Sequence, residues 1–503
     1  MTNETTPEVL DVVVIGAGLS GIGAGYRLTE RMPDLKYAIL ERRPSLGGTW
    51  DLFRYPGIRS DSDMYTLAYP FDPWQHERAI AAGGDILDYI KHTATKYGID
   101  EHIRYEHEVV RGDWSSEDAL WTLTVRTPDG EQEVRTRFVY ACSGYYSYNE
   151  PYKADIPGID DFGGTVIHPQ FWPADLDVTD KRITVIGSGA TAITLVPALA
   201  DAGADVTMLQ RTPSFVLGQP GRDPLNRLLR GRVSDERRHA ILRNKNVFLQ
   251  WGSYQFARRA PKLTTRALRA GVRMSAGMSH MENFTAPYNP WDQRLCVVPD
   301  SDLFKVLKKD GAHVVTDTIE RVEAGGIRTT SGTFIDADII VTATGLSLEM
   351  LGGAEVFVDG DKVDLSERLA YRGCMLEGVP NVGMCVGYIN ASWGLRSDLS
   401  NRFIARVVEH MRTTGSDIAT PTAPPGLERA PLLEMESGYL QRGAALMPRK
   451  AKTPPWTMRQ DYLAEAREMK NPPVTTDMRY ERSGAAGGSI PADGSKTPAM
   501  GAR

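Results

Sequence analysis

Two glycine-rich runs carry the most specific chemistry in this chain. Gly16-Ala17-Gly18-Leu19-Ser20-Gly21 follows the apolar run Asp11-Val12-Val13-Val14-Ile15, and Gly187-Ser188-Gly189-Ala190-Thr191-Ala192 follows Arg182-Ile183-Thr184-Val185-Ile186. Each reads as a strand, a tight turn and a helix start, an order that brings backbone N–H groups and a helix N-terminus to a pyrophosphate. Ala192 stands at the helix-packing position, where the fingerprint accepts alanine for the third glycine. Two fingerprints imply two dinucleotides.

The residue at the end of the second strand of each unit tells the two apart. Glu41 closes Lys36-Tyr37-Ala38-Ile39-Leu40-Glu41, twenty positions beyond Gly21, where an acid accepts hydrogen bonds from a free ribose hydroxyl. In the second unit Asp205-Val206-Thr207-Met208-Leu209 runs into Gln210-Arg211-Thr212. An acid repels a 2′-phosphate, whereas a guanidinium pairs with it and a hydroxyl adds a bond. The second site, with Arg211 and Thr212, is therefore expected to prefer NADPH to NADH. FAD is the economical choice for the first, because a chain that binds NADPH needs a redox partner to take the hydride. The bland alternatives are two turns without ligand and a surface ion pair for Arg211.

The elements around these turns read as α/β, with two dinucleotide-binding, Rossmann-like domains. A helix is expected from Leu19 to about Arg31 and another around Asp85 to Tyr97. Between them and the second fingerprint lies a β-rich passage, Glu106 to Trp114, Trp121 to Arg126 and Glu131 to Tyr140. Ala141-Cys142-Ser143-Gly144 and Thr342-Ala343-Thr344-Gly345 are alike in closing apolar strands with small residues, and they read as the two crossings between domains. The NADP domain (151–342) is then inserted into a discontinuous FAD domain (1–150 and 343–470), with Asn149 to Pro157 as linker and a helical basic insertion over 220–285. Residues 471–503, rich in Pro, Gly, Ala and Ser, are expected to be a disordered tail.

With 503 residues, 41% hydrophobic and 24% charged, the chain has the composition of a soluble globular protein of two or three domains. Its first residues lack the pattern of a signal peptide and no apolar run approaches the ~18 residues of a membrane span, so a cytoplasmic setting is expected. The four cysteines form no CxxC pair, which argues against a dithiol centre, a disulfide framework or a metal cluster. From Arg222 to Arg273 there are fourteen Lys and Arg against three acids, in a chain of net charge −6. Leucines and aromatic residues interleave with these bases. The stretch is compatible with peripheral contact to an anionic membrane or a protein partner, and more readily with a solvated helical insertion covering the second nucleotide domain. No nucleic-acid module is present.

The stretch Phe162, Gly164, His168 and Trp172, with Pro173 after it, matches the FxGxxxHxxxW signature, and Gly47 to Asp61 forms a second Gly- and Trp-containing block. On these motifs the chain resembles the type I Baeyer–Villiger monooxygenases, from about Asp11 to about Tyr462. That resemblance implies FAD reduced by NADPH, addition of dioxygen to the flavin C4a carbon, and insertion of one oxygen beside a ketone carbonyl to give an ester or lactone. Sulfides and thioamides are further substrates it implies. It places Gly48, Thr49, Trp50, Asp51 and Leu52 at the flavin, Val109 near its adenine, and Arg59, Ser60 and Asp61 along the nicotinamide passage.

The same resemblance makes Arg294, in Tyr288-Asn289-Pro290-Trp291-Asp292-Gln293-Arg294-Leu295, the cation that stabilises negative charge in a dry cavity, with Asp61 holding it. Read alone, Arg294 could pair with Asp292, and Asp61 could cap a helix starting at Met64. His168 and Trp172 are expected to act as a hinge rather than in proton transfer, since a general base must reach the reacting atoms. Gln293 departs from the lysine that members acting on cyclic ketones often carry there. A flavin-dependent N- or S-monooxygenase without carbon–oxygen insertion, and a membrane-associated flavoprotein with an interaction role, are the competing readings.

Overall fold

In the strand Val9–Ile15, the consecutive Val12, Val13 and Val14 have no solvent exposure, because this strand is buried on both faces of a parallel sheet. Val12 and Val14 join one apolar cluster and Val13 another, as the alternation of side chains along a strand requires. The computed structural model describes residues 8–483.

Val9–Ile15 pairs in parallel with Tyr37–Glu41 on one side and with the far half of Gly130–Ala141 on the other. The near half of Gly130–Ala141 pairs antiparallel with Leu120–Thr127, which pairs with Glu108–Ser115. The β-rich passage is therefore an antiparallel meander grown from the nucleotide-binding sheet. Glu355–Val358 and Val382–Met384 return to the same sheet, which has eleven strands.

A second sheet holds five parallel strands in the order Ala312–Thr316, Asp205–Gln210, Arg182–Ile186, Ile339–Thr342 and Thr165–Ile167. All of its strands fall between the two stretches of chain that build the first sheet. Helix Leu19–Arg31 follows the first fingerprint and Ala190–Asp201 the second. The other expected helix forms as Gly83–Lys96.

Three expectations change in detail. The linker at Asn149 to Pro157 begins inside a strand, Tyr146–Pro151, which pairs antiparallel with Leu346–Leu348. The two crossings thus lie side by side. Part of the stretch expected to be a disordered tail is ordered, because Met478–Glu481 pairs with Ile418–Pro421 and Tyr480 donates to the Val474 carbonyl; the rest of that expectation, positions 484–503, lies outside the described residues. The helix Met64–Leu67 is capped by Asp63, which accepts from the Thr66 N–H, and not by Asp61.

The basic insertion is helical, as Pro224–Leu229, Asp235–Arg259 and Pro261–Ala276. No helix among the described residues is long and apolar enough to cross a membrane, and the described residues hold no cluster suited to a metal ion. All four cysteines are buried and free.

Candidate active site

Both glycine turns open into one cavity of about 960 Å³. At the first, Gly16 has φ +99°, and a Cβ there would lie 3.0 Å from the Cys142 carbonyl oxygen. At the second, Gly187 has φ +138°, and a Cβ would lie 2.3 Å from the Ala343 carbonyl oxygen. The turns are thus equivalent, each pressed against the end of the strand that leads into a crossing. Gly18 and Gly189 cap the two helices from outside, so the free N–H groups of both helix N-termini face the cavity.

Gly16, Gly18, Ser20, Glu41, Gly48, Thr49, Trp50 and Val109 line the first half. Glu41 is buried and accepts from the N–H groups of Ala17, at 2.7 Å, and Arg43, at 2.9 Å. Burial pushes its carboxyl up while those two donors pull it down. Its position is locked at the cavity edge, and each oxygen keeps a lone pair for a ribose hydroxyl. Gly21 does not face the cavity; a Cβ there would sit 1.9 Å from the Gly16 carbonyl oxygen, so the glycine lets helix and strand approach.

Two expected flavin contacts are corrected. The Asp51 carboxylate turns away, buried between Ser45, Arg43 and Arg54, and Leu52 packs in the core of the second domain. Adjacent residues in the short helix Thr49–Leu52 point to different sides, so Thr49 and Trp50 reach the cavity and the next two do not.

Gly187, Ser188, Gly189, Ala190, Thr191, Arg211 and Thr212 line the second half, with Ala192 buried behind them. Ser188 Oγ donates to the Thr212 carbonyl at 3.1 Å, tying the turn to the strand end where the second ribose is expected. Arg211 is exposed on the cavity rim. Among the described residues it has no ion-pair partner, so the surface pair it could have formed is not made. Gln293 lines the wall nearby.

Arg59, Ser60, Asp61 and Arg294 also line the cavity, and Asp61 meets Arg294. Arg294 Nη2 lies 2.9 Å from Asp61 Oδ1 and 2.7 Å from Oδ2, with side chains 35% and 28% exposed. The Asp61 charge is the main reason the guanidinium is held above its already high ordinary value, against the cost of burial. Asp292, the local partner open to Arg294 in the sequence, is taken by Arg258 at 2.6 Å. Arg59 pairs with Asp302, and Ser60 Oγ donates to the Ser62 carbonyl at 2.7 Å.

His168 lies outside the cavity lining. Its Nδ1 accepts from the Gln170 N–H at 3.2 Å and its Nε2 faces the Gly345 carbonyl at 3.3 Å, a pattern that suits the neutral ring with its proton on Nε2. Burial lowers its pKa, which favours that form. The histidine thus ties the signature segment to the second crossing. Trp172 packs on the core of the second domain.

Aromatic wall residues were missed as site candidates: Tyr145, Tyr146, Tyr148, Trp393 and Tyr439 all line the cavity. Trp393 stacks on Tyr145 at 5.2 Å and donates from Nε1 to Ser20 Oγ at 2.8 Å. The run Tyr145-Tyr146-Ser147-Tyr148 just after Gly144 was the available signal.

Several features fit a pair of dinucleotides. A Cβ at Gly144 or Gly189 would meet nothing within 4 Å, and Thr344 Oγ1, also in the lining, is buried without a partner. Fold and site together define a two-nucleotide flavoprotein oxidoreductase. The chain belongs to the flavin-binding monooxygenase-like family, whose model matches residues 10–244. It is 46% identical to FAD-containing monooxygenase EthA of Mycobacterium tuberculosis (strain ATCC 25618 / H37Rv), over 92% of this chain and 95% of the other. It is 45% identical to the putative FAD-containing monooxygenase MymA of the same strain, over 92% and 96%. Among solved structures it resembles OTEMO in complex with FAD and NADP (TM-score 0.67, 23% identity, 83% of this chain and 88% of that one). It also resembles ε-caprolactone-bound cyclohexanone monooxygenase (TM-score 0.72, 20% identity, 94% and 100%).

Proposed function

We propose that this chain is an FAD-dependent, NADPH-consuming Baeyer–Villiger monooxygenase. Ketone, dioxygen, NADPH and a proton give an ester or lactone, water and NADP⁺. The observation that carries this reading is the Asp61–Arg294 pair in one cavity with both glycine turns. Bound FAD, reduced by NADPH, supplies the oxygen-transfer chemistry.

The protein's own groups do the rest. The backbone N–H groups beyond Gly18 and Gly189 hold the pyrophosphates, Glu41 takes the ribose of FAD, and Arg211 with Thr212 takes the 2′-phosphate of NADPH. Arg294 provides a fixed positive charge where negative charge grows on the carbonyl oxygen of a ketone under attack. Asp61 aims that guanidinium and keeps it from swinging to other acceptors. The aromatic wall from Tyr145 to Tyr148, with Trp393, excludes water, which strengthens the interaction. His168 holds the segment of the signature to the second crossing and moves no proton.

The same cavity accepts sulfides and thioamides as oxygen acceptors, and a cytoplasmic setting belongs to this reading. The test is product analysis with linear, cyclic and phenyl-substituted ketones and with sulfides, under NADPH and air. Esters from ketones support it. Sulfoxides with no ester from any ketone would reduce the protein to a sulfur-oxygenating flavoprotein.

A further inference from the structure

From residue 237 to residue 281 the sequence contains ten Lys and Arg and no Asp or Glu. These positions form most of a helical hairpin, Asp235–Arg259 and Pro261–Ala276. Its inner side is occupied: Leu242, Val247, Leu268 and Val272 are buried, and Arg243 donates to the carbonyls of Tyr65 and Ala68. The outer side is not.

On the first helix Phe248 is 63% exposed, and Leu249 and Phe256 are exposed beside it. The second helix is more regular. Lys262, Arg266, Arg269 and Arg273 recur at spacings of four, three and four, and so fall on one stripe. Leu263, Ala267, Ala270 and Met274 repeat that spacing on the adjoining stripe, where Met274 is 78% exposed. Among the described residues, Arg259 and the four basic residues of the stripe have no ion-pair partner.

An exposed apolar stripe beside an unneutralised basic one is the pattern of a helix lying in a membrane interface. Leucine, methionine and phenylalanine enter the acyl boundary, while long basic side chains extend to the headgroups. A hydrated protein face explains the charges but not the apolar row. An acidic protein partner would match the charges, yet aliphatic side chains at this density next to cations fit a fluid apolar layer under anionic headgroups.

We propose that the outer face of this hairpin docks on an anionic lipid bilayer. Docking is independent of the reaction assigned above, so either can fail without the other. The experiment uses the full-length, flavin-loaded protein in co-sedimentation with vesicles of phosphatidylcholine, with and without phosphatidylglycerol. Binding is expected with phosphatidylglycerol only, and is expected to weaken as salt shortens the screening length from about 30 Å to about 8 Å.

Two surface double variants separate the contributions: Arg266→Glu with Arg273→Glu, and Phe248→Ser with Met274→Ser. Each is expected to lower vesicle affinity roughly tenfold or more with melting temperature and NADPH oxidation unchanged. Equal binding to both vesicle types, or none to either, overturns the proposal. So does binding that survives the Phe248 and Met274 changes, since charge alone then accounts for it. Self-association removed by Phe248→Ser, without vesicle binding, would assign the face to a second copy instead.

Discussion

Asp61 meets Arg294 with both carboxylate oxygens, at 2.9 and 2.7 Å from a single Nη, across 233 positions of sequence. A third element holds both partners. Helix Asp235–Arg259 donates from Asn246, at 3.0 Å, and Gln250, at 2.7 Å, to Asp63, two residues from Asp61. Its Arg258 pairs with Asp292, two residues from Arg294. Tyr254 of the same helix packs edge-on against Trp291 at 5.5 Å. One helix therefore sets the geometry of a pair to which it contributes no side chain.

Arg294→Ala should leave reduction by NADPH largely intact and all but abolish ester formation, a loss of about a hundred- to a thousandfold or more. Stopped-flow reduction followed by product analysis measures both steps. Ester formation at the wild-type rate would remove Arg294 from the mechanism.

Arg211→Ala should raise KM for NADPH by about tenfold or more and leave NADH nearly unchanged, because only NADPH carries the 2′-phosphate. Steady-state kinetics with both nucleotides reads this directly. Equal losses for the two would place the phosphate elsewhere.

The gripping helix predicts a split between stability and turnover. Arg258→Ala removes a half-exposed pair and should change stability by less than about 1 kcal/mol, yet lower kcat for ketone several-fold by loosening the loop that carries Arg294. Reduction by NADPH should not change. Asp63→Ala also removes a helix cap and takes an acceptor from the Asn246 amide and from Gln250, which keeps only Thr66 Oγ1, so an added loss of about 1–3 kcal/mol is expected in denaturant unfolding.

Acid should destabilise the fold through His239, which is buried, faces Tyr65, and has neither ring nitrogen hydrogen-bonded. Burial first, then Arg243 and Arg238, lower its pKa to about 4, with Asp72 opposing. The folded state thus binds this proton less readily than the unfolded chain. Stability is complete above the ordinary histidine pKa of about 6.5 and is lost as pH falls through 6.5 toward 4, by on the order of 3 kcal/mol. His239→Leu should flatten that part of the curve in unfolding measured against pH; an unchanged slope would show that another group carries it.

Much of the fold was readable because its signals are local. A glycine at positive φ before a helix, as at Gly16 and Gly187, follows from a few neighbouring residues, and so do the buried apolar strands that lead into each turn. Glu41 and Arg211 were singled out the same way, since a fixed strand length carries each to the end of its strand. The basic, amphipathic helices were visible as spacing alone.

Other features depend on which segments meet in space. Asp61 and Asp63 are chemically identical and two residues apart, and only packing makes one the partner of Arg294 and the other the cap of Met64–Leu67. Arg294 is free for Asp61 because Arg258, from a distant helix, occupies Asp292. Asp51 and Leu52 follow Gly48, Thr49 and Trp50, which face the cavity, but a single helical turn rotates them away. Backbone conformation is set by neighbours in sequence, so it can be read from the residues; the choice among equivalent charged partners is set by distances that exist only once the chain has folded.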